Sequence, residues 1–74
     1  MYAVTFLFAG DAKDFTQALI EWYAKRGRIW WGAIDGQGIG YTEAYSLDEI
    51  GEFARELDVT VLSAGRAGEE PIIW

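Results

Sequence analysis

Histidine, cysteine and asparagine are absent from the 74 residues, and proline occurs once. Without cysteine there is no disulfide and no thiolate nucleophile. Without histidine there is no imidazole base and no Cys/His zinc cluster. A site built only from carboxylates would suit magnesium, calcium or manganese, and neither a metal nor a cofactor is expected. Basic side chains are scarce: 6 Lys and Arg stand against 12 Asp and Glu, for a net charge of −6. Such a chain repels phosphates and anionic lipid heads and attracts basic surfaces, over ~8 Å at physiological salt. There is no run of about 18 apolar residues for a membrane span, and apolar Tyr2–Ala9 has neither the basic start nor the length of a signal peptide. These features lead us to expect a cytoplasmic protein that contacts neither membrane nor nucleic acid directly.

What the chain has in quantity is aromatics, 4 each of Trp, Tyr and Phe. A domain this small buries only about 60% of the surface of its unfolded chain, so aromatic packing must stand in for staples. Residues 1–74 read as one domain without linker, repeat or low-complexity segment.

Tyr2–Ala9 carries apolar groups on both parities and predicts a central strand, ended by Gly10. Asp11 can cap a helix over Ala12–Arg26, which Gly27 stops, with Phe15, Ala18, Leu19 and Trp22 on one face at about 100° per residue. Arg28–Ile34 and Tyr41–Tyr45 are rich in strand formers. Between them Asp35-Gly36 predicts a tight hairpin. Ser46-Leu47-Asp48-Glu49 is a capping box in which Glu49 reaches back to the Ser46 amide, opening a helix over Leu47–Leu57. Val59–Ala64 predicts a fourth strand and Gly65–Glu70 a turn, after which Pro71–Trp74 forms an edge strand or a tail docked by Trp74. The order βαββαβ predicts an α+β, ferredoxin-like antiparallel sheet with two helices on one face; in a rival, less regular layer the tail adds a fifth strand.

Gly36, Gly38 and Gly40 lie between strands with no Lys-Ser/Thr behind them, so they read as a hairpin with close strand packing rather than a phosphate loop. Trp30 and Trp31, adjacent on a strand, should point to opposite faces. Trp30, Trp31, Tyr41 and Tyr45 are therefore candidates for an exposed aromatic patch, a partner or dimer contact unless the tail covers it. Lys25, Arg26 and Arg28 cluster where helix dipole and solvation explain them. Asp48, Glu49, Glu52 and Glu56, joined by Asp58 and by Glu69 and Glu70, are expected to place like charges within a few turns. Simple solvation also accounts for such a face, yet the i,i+4 pairs oppose helix stability by a few tenths of a kcal/mol each. These seven acids are the candidate partner-binding residues. Glu43 is the one acid in a partly apolar strand, and a half-exposed strand glutamate is far commoner than a catalytic one, so no enzyme activity is expected.

The segment Gln37–Ala44 resembles in part the ribonucleoprotein octamer of RNA recognition motifs through Gly38, Gly40 and Tyr41, with Phe6 and Phe8 as loose first-strand counterparts. Gln37, Ile39 and Ala44 depart from that pattern. In size, charge and the acids Asp48, Glu49, Glu52 and Glu56, the chain resembles small acidic phage-encoded anti-CRISPR proteins. That resemblance implies a monomer or weak dimer whose carboxylates occupy the basic nucleic-acid-binding surface of a CRISPR effector in the host cytoplasm. A ferredoxin-like or RNA-recognition-motif-like binding or dimerisation module is the alternative.

Overall fold

In a computed structural model, which describes residues 1–66 and 72–73, the elements are β1 (Tyr2–Leu7), α1 (Ala12–Ala24), β2 (Gly32–Ile34), β3 (Ile39–Ala44), α2 (Leu47–Leu57), β4 (Thr60–Arg66) and β5 (Ile72–Ile73). The chain is an α+β fold with one antiparallel sheet, ordered β2-β3-β1-β4-β5, and two helices. The expected central strand is β1: Val4 stands between Thr42 of β3 and Ala64 of β4. The two-residue β5 pairs with β4, so the fifth strand of the rival layer is present. Trp74 and most of the expected turn lie outside the described residues, although Gly65 and Arg66 extend β4.

Alternation along β1 sends Val4, Phe6 and Phe8 into the core and leaves Ala3, Thr5 and Leu7 on the opposite face. The Phe6 ring meets Phe15 of α1 at a centroid distance of 5.7 Å and Phe53 of α2 at 5.0 Å. Both helices therefore cover the same face. Phe8 stacks on Phe15 at 4.5 Å, and Trp22 meets Phe53 edge-on at 5.7 Å. Each buried aromatic or aliphatic side chain contributes about 1.5–3 kcal/mol, so this interlocked ring cluster is the main source of stability. Gly40 belongs to it by having no side chain: a Cβ there would collide with the Phe6 ring and Ile34 Cδ1.

Helix capping follows the sequence closely. The Asp11 side chain accepts from Asp14 N (3.1 Å), and Gly27 takes φ +70° beyond the end of α1. Ser46 Oγ accepts from Glu49 N (3.1 Å). The reciprocal bond differs by one residue, because Glu49 Oε1 accepts from Tyr45 N (3.0 Å) rather than from Ser46 N.

Two loops depart from expectation. Strand β2 begins at Gly32 rather than Arg28, because the Arg28 amide is consumed in closing α1 through Tyr23 O (3.0 Å). The hairpin is wider than a two-residue Asp-Gly turn: Asp35 Oδ1 accepts from Gln37 N (2.8 Å) and Ile39 N (3.0 Å), and the positive φ, +98°, falls on Gly38. A carboxylate that gathers amides two and four residues on builds its own loop and leaves Gly36 without a special conformation.

Candidate functional site

The acidic face expected on α2 exists, but the protein's own cations reach into it. The shared sheet face lays α1 beside α2, and this brings the end of α1 against the α2 acids. Arg26 Nη2 lies 3.1 Å from Glu52 Oε2 and 3.5 Å from Glu56 Oε2. Its guanidinium stacks over the Trp22 ring at 3.5 Å. Glu56 also accepts from Trp22 Nε1 (3.2 Å). Glu52 and Glu56 nevertheless keep 48% and 46% of their side-chain exposure, so one arginine offsets two acids that still face water.

Glu49 is a correction to the expected display. It is paired with Arg28 at 2.5 Å, with the two side chains only 15% and 14% exposed. Arg28 sits between the Tyr45 ring (3.7 Å) and the Tyr23 ring (4.9 Å) and donates to Glu43 O (3.5 Å). Dipole and solvation do not suffice to explain the basic cluster: Arg26 and Arg28 are struts between α1 and α2, whereas Lys25 is exposed. Asp48 and Asp58 are exposed and make no ion pair among the described residues. Asp58 also has a backbone role, closing α2 at φ +54°. Glu69 and Glu70 lie outside the described residues.

The four aromatic candidates divide. Trp30 turns to the helix side, packs against the core and donates from Nε1 to Thr42 Oγ1 (3.1 Å). It is not part of an exposed patch. Trp31 turns the other way and is 70% exposed, while Tyr45 and Tyr41 are 59% and 41% exposed. Opposite orientation was expected of neighbours in a strand, and it holds although both tryptophans precede β2.

The helix-free face carries Leu7, Ile39 and Tyr41, all exposed, among the small residues Ala3, Thr5, Ala33 and Ser63. A groove of about 390 Å³ where this face meets the end of α1 is lined by Tyr23, Gly27, Arg28, Ile29, Trp31, Glu43 and Tyr45, and a second of about 250 Å³ by Ala3, Thr5, Tyr41, Glu43, Ser63, Gly65 and Arg66. Glu43 borders both, as does Met1. Sequence reasoning weighed Glu43 only as a catalytic acid. Its odd parity with Tyr41 and Tyr45 on β3 was the signal for its surface position.

Phe6 and Phe8, the counterparts of a base-stacking platform, are buried under the helices. That removes the first-strand half of the ribonucleoprotein resemblance and leaves Tyr41 as the platform's exposed ring. Among the described residues there is no cluster of three or more acidic side chains placed to hold a metal ion, and no helix long and apolar enough to cross a membrane. No known family model, curated protein or solved structure matches this chain.

Proposed function

We propose that this chain is a non-catalytic binding module that seats a basic protein partner on the helix-free face of its sheet. The observation that carries this reading is the set Leu7, Ile39, Tyr41 and Trp31, exposed on one side of a molecule with a net charge of −6. Apolar groups gathered in this way on a small protein mark a contact surface, and the net negative charge of the chain favours a positive partner and speeds its approach. The strand order β2-β3-β1-β4 supports the ferredoxin-like arrangement, in which one face of the sheet is left open.

A second reading has its own support. Glu52 and Glu56 share a single arginine, and Asp48 and Asp58 have no ion pair among the described residues. These four could substitute for phosphates on a nucleic-acid-binding protein, the inhibitory role implied by the anti-CRISPR resemblance. The pairing of Glu49 with Arg28 and of Arg26 with Glu52 and Glu56 makes that array smaller and more mixed in sign than expected, which places it second.

Two surface variants separate the readings, with host-cell proteins captured on each and quantified by mass spectrometry. Ile39→Asp/Tyr41→Asp should abolish capture of a basic protein that Glu52→Lys/Glu56→Lys still retains. The reverse pattern assigns binding to α2, and capture unchanged in both rejects both. In sedimentation, a concentration-dependent dimer lost in the Ile39→Asp/Tyr41→Asp variant would make a second copy the occupant.

A further inference from the structure

The open face carries a carboxylate ringed by aromatics. On β3, Tyr41 and Glu43 share the helix-free face, and Tyr45 follows at the same parity just beyond the strand. Gly32 pairs with Thr42, so continuing the register by one residue sets Trp31 beside Glu43, and the two line one groove. On the other side Glu43 is opposite Ala3, itself opposite Gly65, and the groove there is bordered by Met1 and Arg66. No hydrogen bond or ion pair engages the Glu43 carboxylate among the described residues; Tyr23 and Arg28 donate to its backbone carbonyl instead.

Tyr45 already carries Arg28 on its ring, and a carboxylate flanked by the two exposed rings of Trp31 and Tyr41 is a receptor for an organic cation. The acid supplies charge and the ring faces supply cation–π attraction. A guanidinium fits best, since its plane can lie on a ring while its N–H fork meets the carboxylate. The protein uses this pairing repeatedly: Arg26 lies over Trp22 at 3.5 Å, Arg28 over Tyr45 at 3.7 Å and Arg66 over Tyr2 at 5.2 Å. Arg28 and Met1 line the groove themselves, and the charge of Arg28 is offset by Glu49.

The geometry points to Glu43, with Trp31 and Tyr41, as the receptor for an arginine side chain presented by the partner. This rests on the reading of the open face as a docking surface and names the chemistry that anchors it. A capped peptide bearing two arginines is the probe, compared with the same peptide bearing citrulline, which keeps the shape and removes the charge. The arginine peptide should shift the Trp31 indole N–H resonance and bind about tenfold more tightly than the citrulline peptide. Glu43→Gln should weaken it by about tenfold, and Trp31→Ala, at a surface position, should weaken it with the fold intact by near-ultraviolet circular dichroism. Equal affinity for the two peptides, or unchanged affinity in Glu43→Gln, overturns the inference. Loss of peptide binding in Glu52→Lys/Glu56→Lys instead places the cation on α2 and also overturns it. If no peptide binds while Ile39→Asp/Tyr41→Asp still abolishes partner capture, the docking surface stands and the arginine receptor falls.

Discussion

The hydroxyls of Tyr23 and Thr42 lie 2.8 Å apart in the buried layer between α1 and β3, and only one arrangement of protons satisfies both. Tyr23 must donate to Glu43 O (2.8 Å), because a carbonyl cannot donate, so Thr42 must donate to Tyr23 while accepting from Trp30 Nε1 (3.1 Å). The result is a directed chain from Trp30 through Thr42 and Tyr23 to the β3 backbone, which pins the residues preceding β2 against the sheet. Tyr23→Phe breaks it in the middle, leaving the Thr42 proton without a partner and the Glu43 carbonyl with only its longer side-chain bond from Arg28 (3.5 Å). The expected loss is about 1–3 kcal/mol, seen as a lower urea midpoint with an unchanged slope. Burial also raises the Tyr23 phenol above its ordinary pKa of 10.0, against the opposing hydrogen bond from Thr42 and the charge of Arg28. Its stabilising contribution is complete below the ordinary phenol range and disappears as pH rises through the raised value. The wild-type protein should accordingly lose stability on the alkaline side more steeply than Tyr23→Phe.

Arg28 and Arg26 look equivalent in sequence and should behave differently on mutation. The Arg28–Glu49 pair is largely screened from water, whereas the Glu52 and Glu56 partners of Arg26 are nearly half exposed. Removing one member of a buried pair strands the other and costs about 3–5 kcal/mol. An exposed pair is worth about 0.2–1 kcal/mol. Arg28→Gln should therefore melt far below Arg26→Gln in parallel thermal scans. The double variant Arg28→Met/Glu49→Leu should recover most of the difference, since no unpaired charge remains.

The parts of the fold legible in the sequence were those written in short-range pattern. Ser46 capping Glu49 and the limits of α2 could be read directly, and so could the stripe Phe15, Leu19 and Trp22. Tyr23 belongs to that stripe as the residue four beyond Leu19, a spacing that was present but overlooked. The Arg26–Glu52 and Arg28–Glu49 pairs were not legible, because they depend on α1 and α2 lying side by side over Phe6. A charge cluster read along one helix therefore overstated the negative surface, since its counter-charges come from residues more than twenty positions earlier. The site around Glu43 was missed for a related reason. Its neighbours Trp31 and Ala3 come from different parts of the chain, and the strand register alone brings them together.

Glycines in the hairpin give a direct test of close packing against loop freedom. At Gly40 an added Cβ would drive into the Phe6 ring, whereas at Gly36 it would meet nothing within 4 Å and the backbone is not left-handed. Gly40→Ala should cost about 1–3 kcal/mol through displacement of Phe6 from Phe15 and Phe53. Gly36→Ala should change stability by less than about 1 kcal/mol, with a gain expected from reduced freedom of the unfolded chain. Urea unfolding of the two variants, followed by tryptophan fluorescence, reads the contrast.

The Asp35 loop should respond to acid. The Asp35 carboxyl is held below its ordinary pKa of 3.8 chiefly by the amides of Ile39 and Gln37, which donate to the ionised form. A group depressed in this way supports the folded loop at any pH above the ordinary aspartate range, and that support fades as pH falls through the lowered value. The carboxyl carbon of Asp35 should titrate below the ordinary aspartate value of 3.8 in a carbon-detected NMR series. The Gln37 and Ile39 amide resonances should move with the same midpoint as their acceptor is protonated. In Asp35→Asn those amides should show no such titration, while β2 and β3 keep their pairing through Asp35 N to Ile39 O, a backbone bond the substitution retains. An Asp35 midpoint at or above the ordinary 3.8 would mean that the carboxylate does not organise the loop in solution.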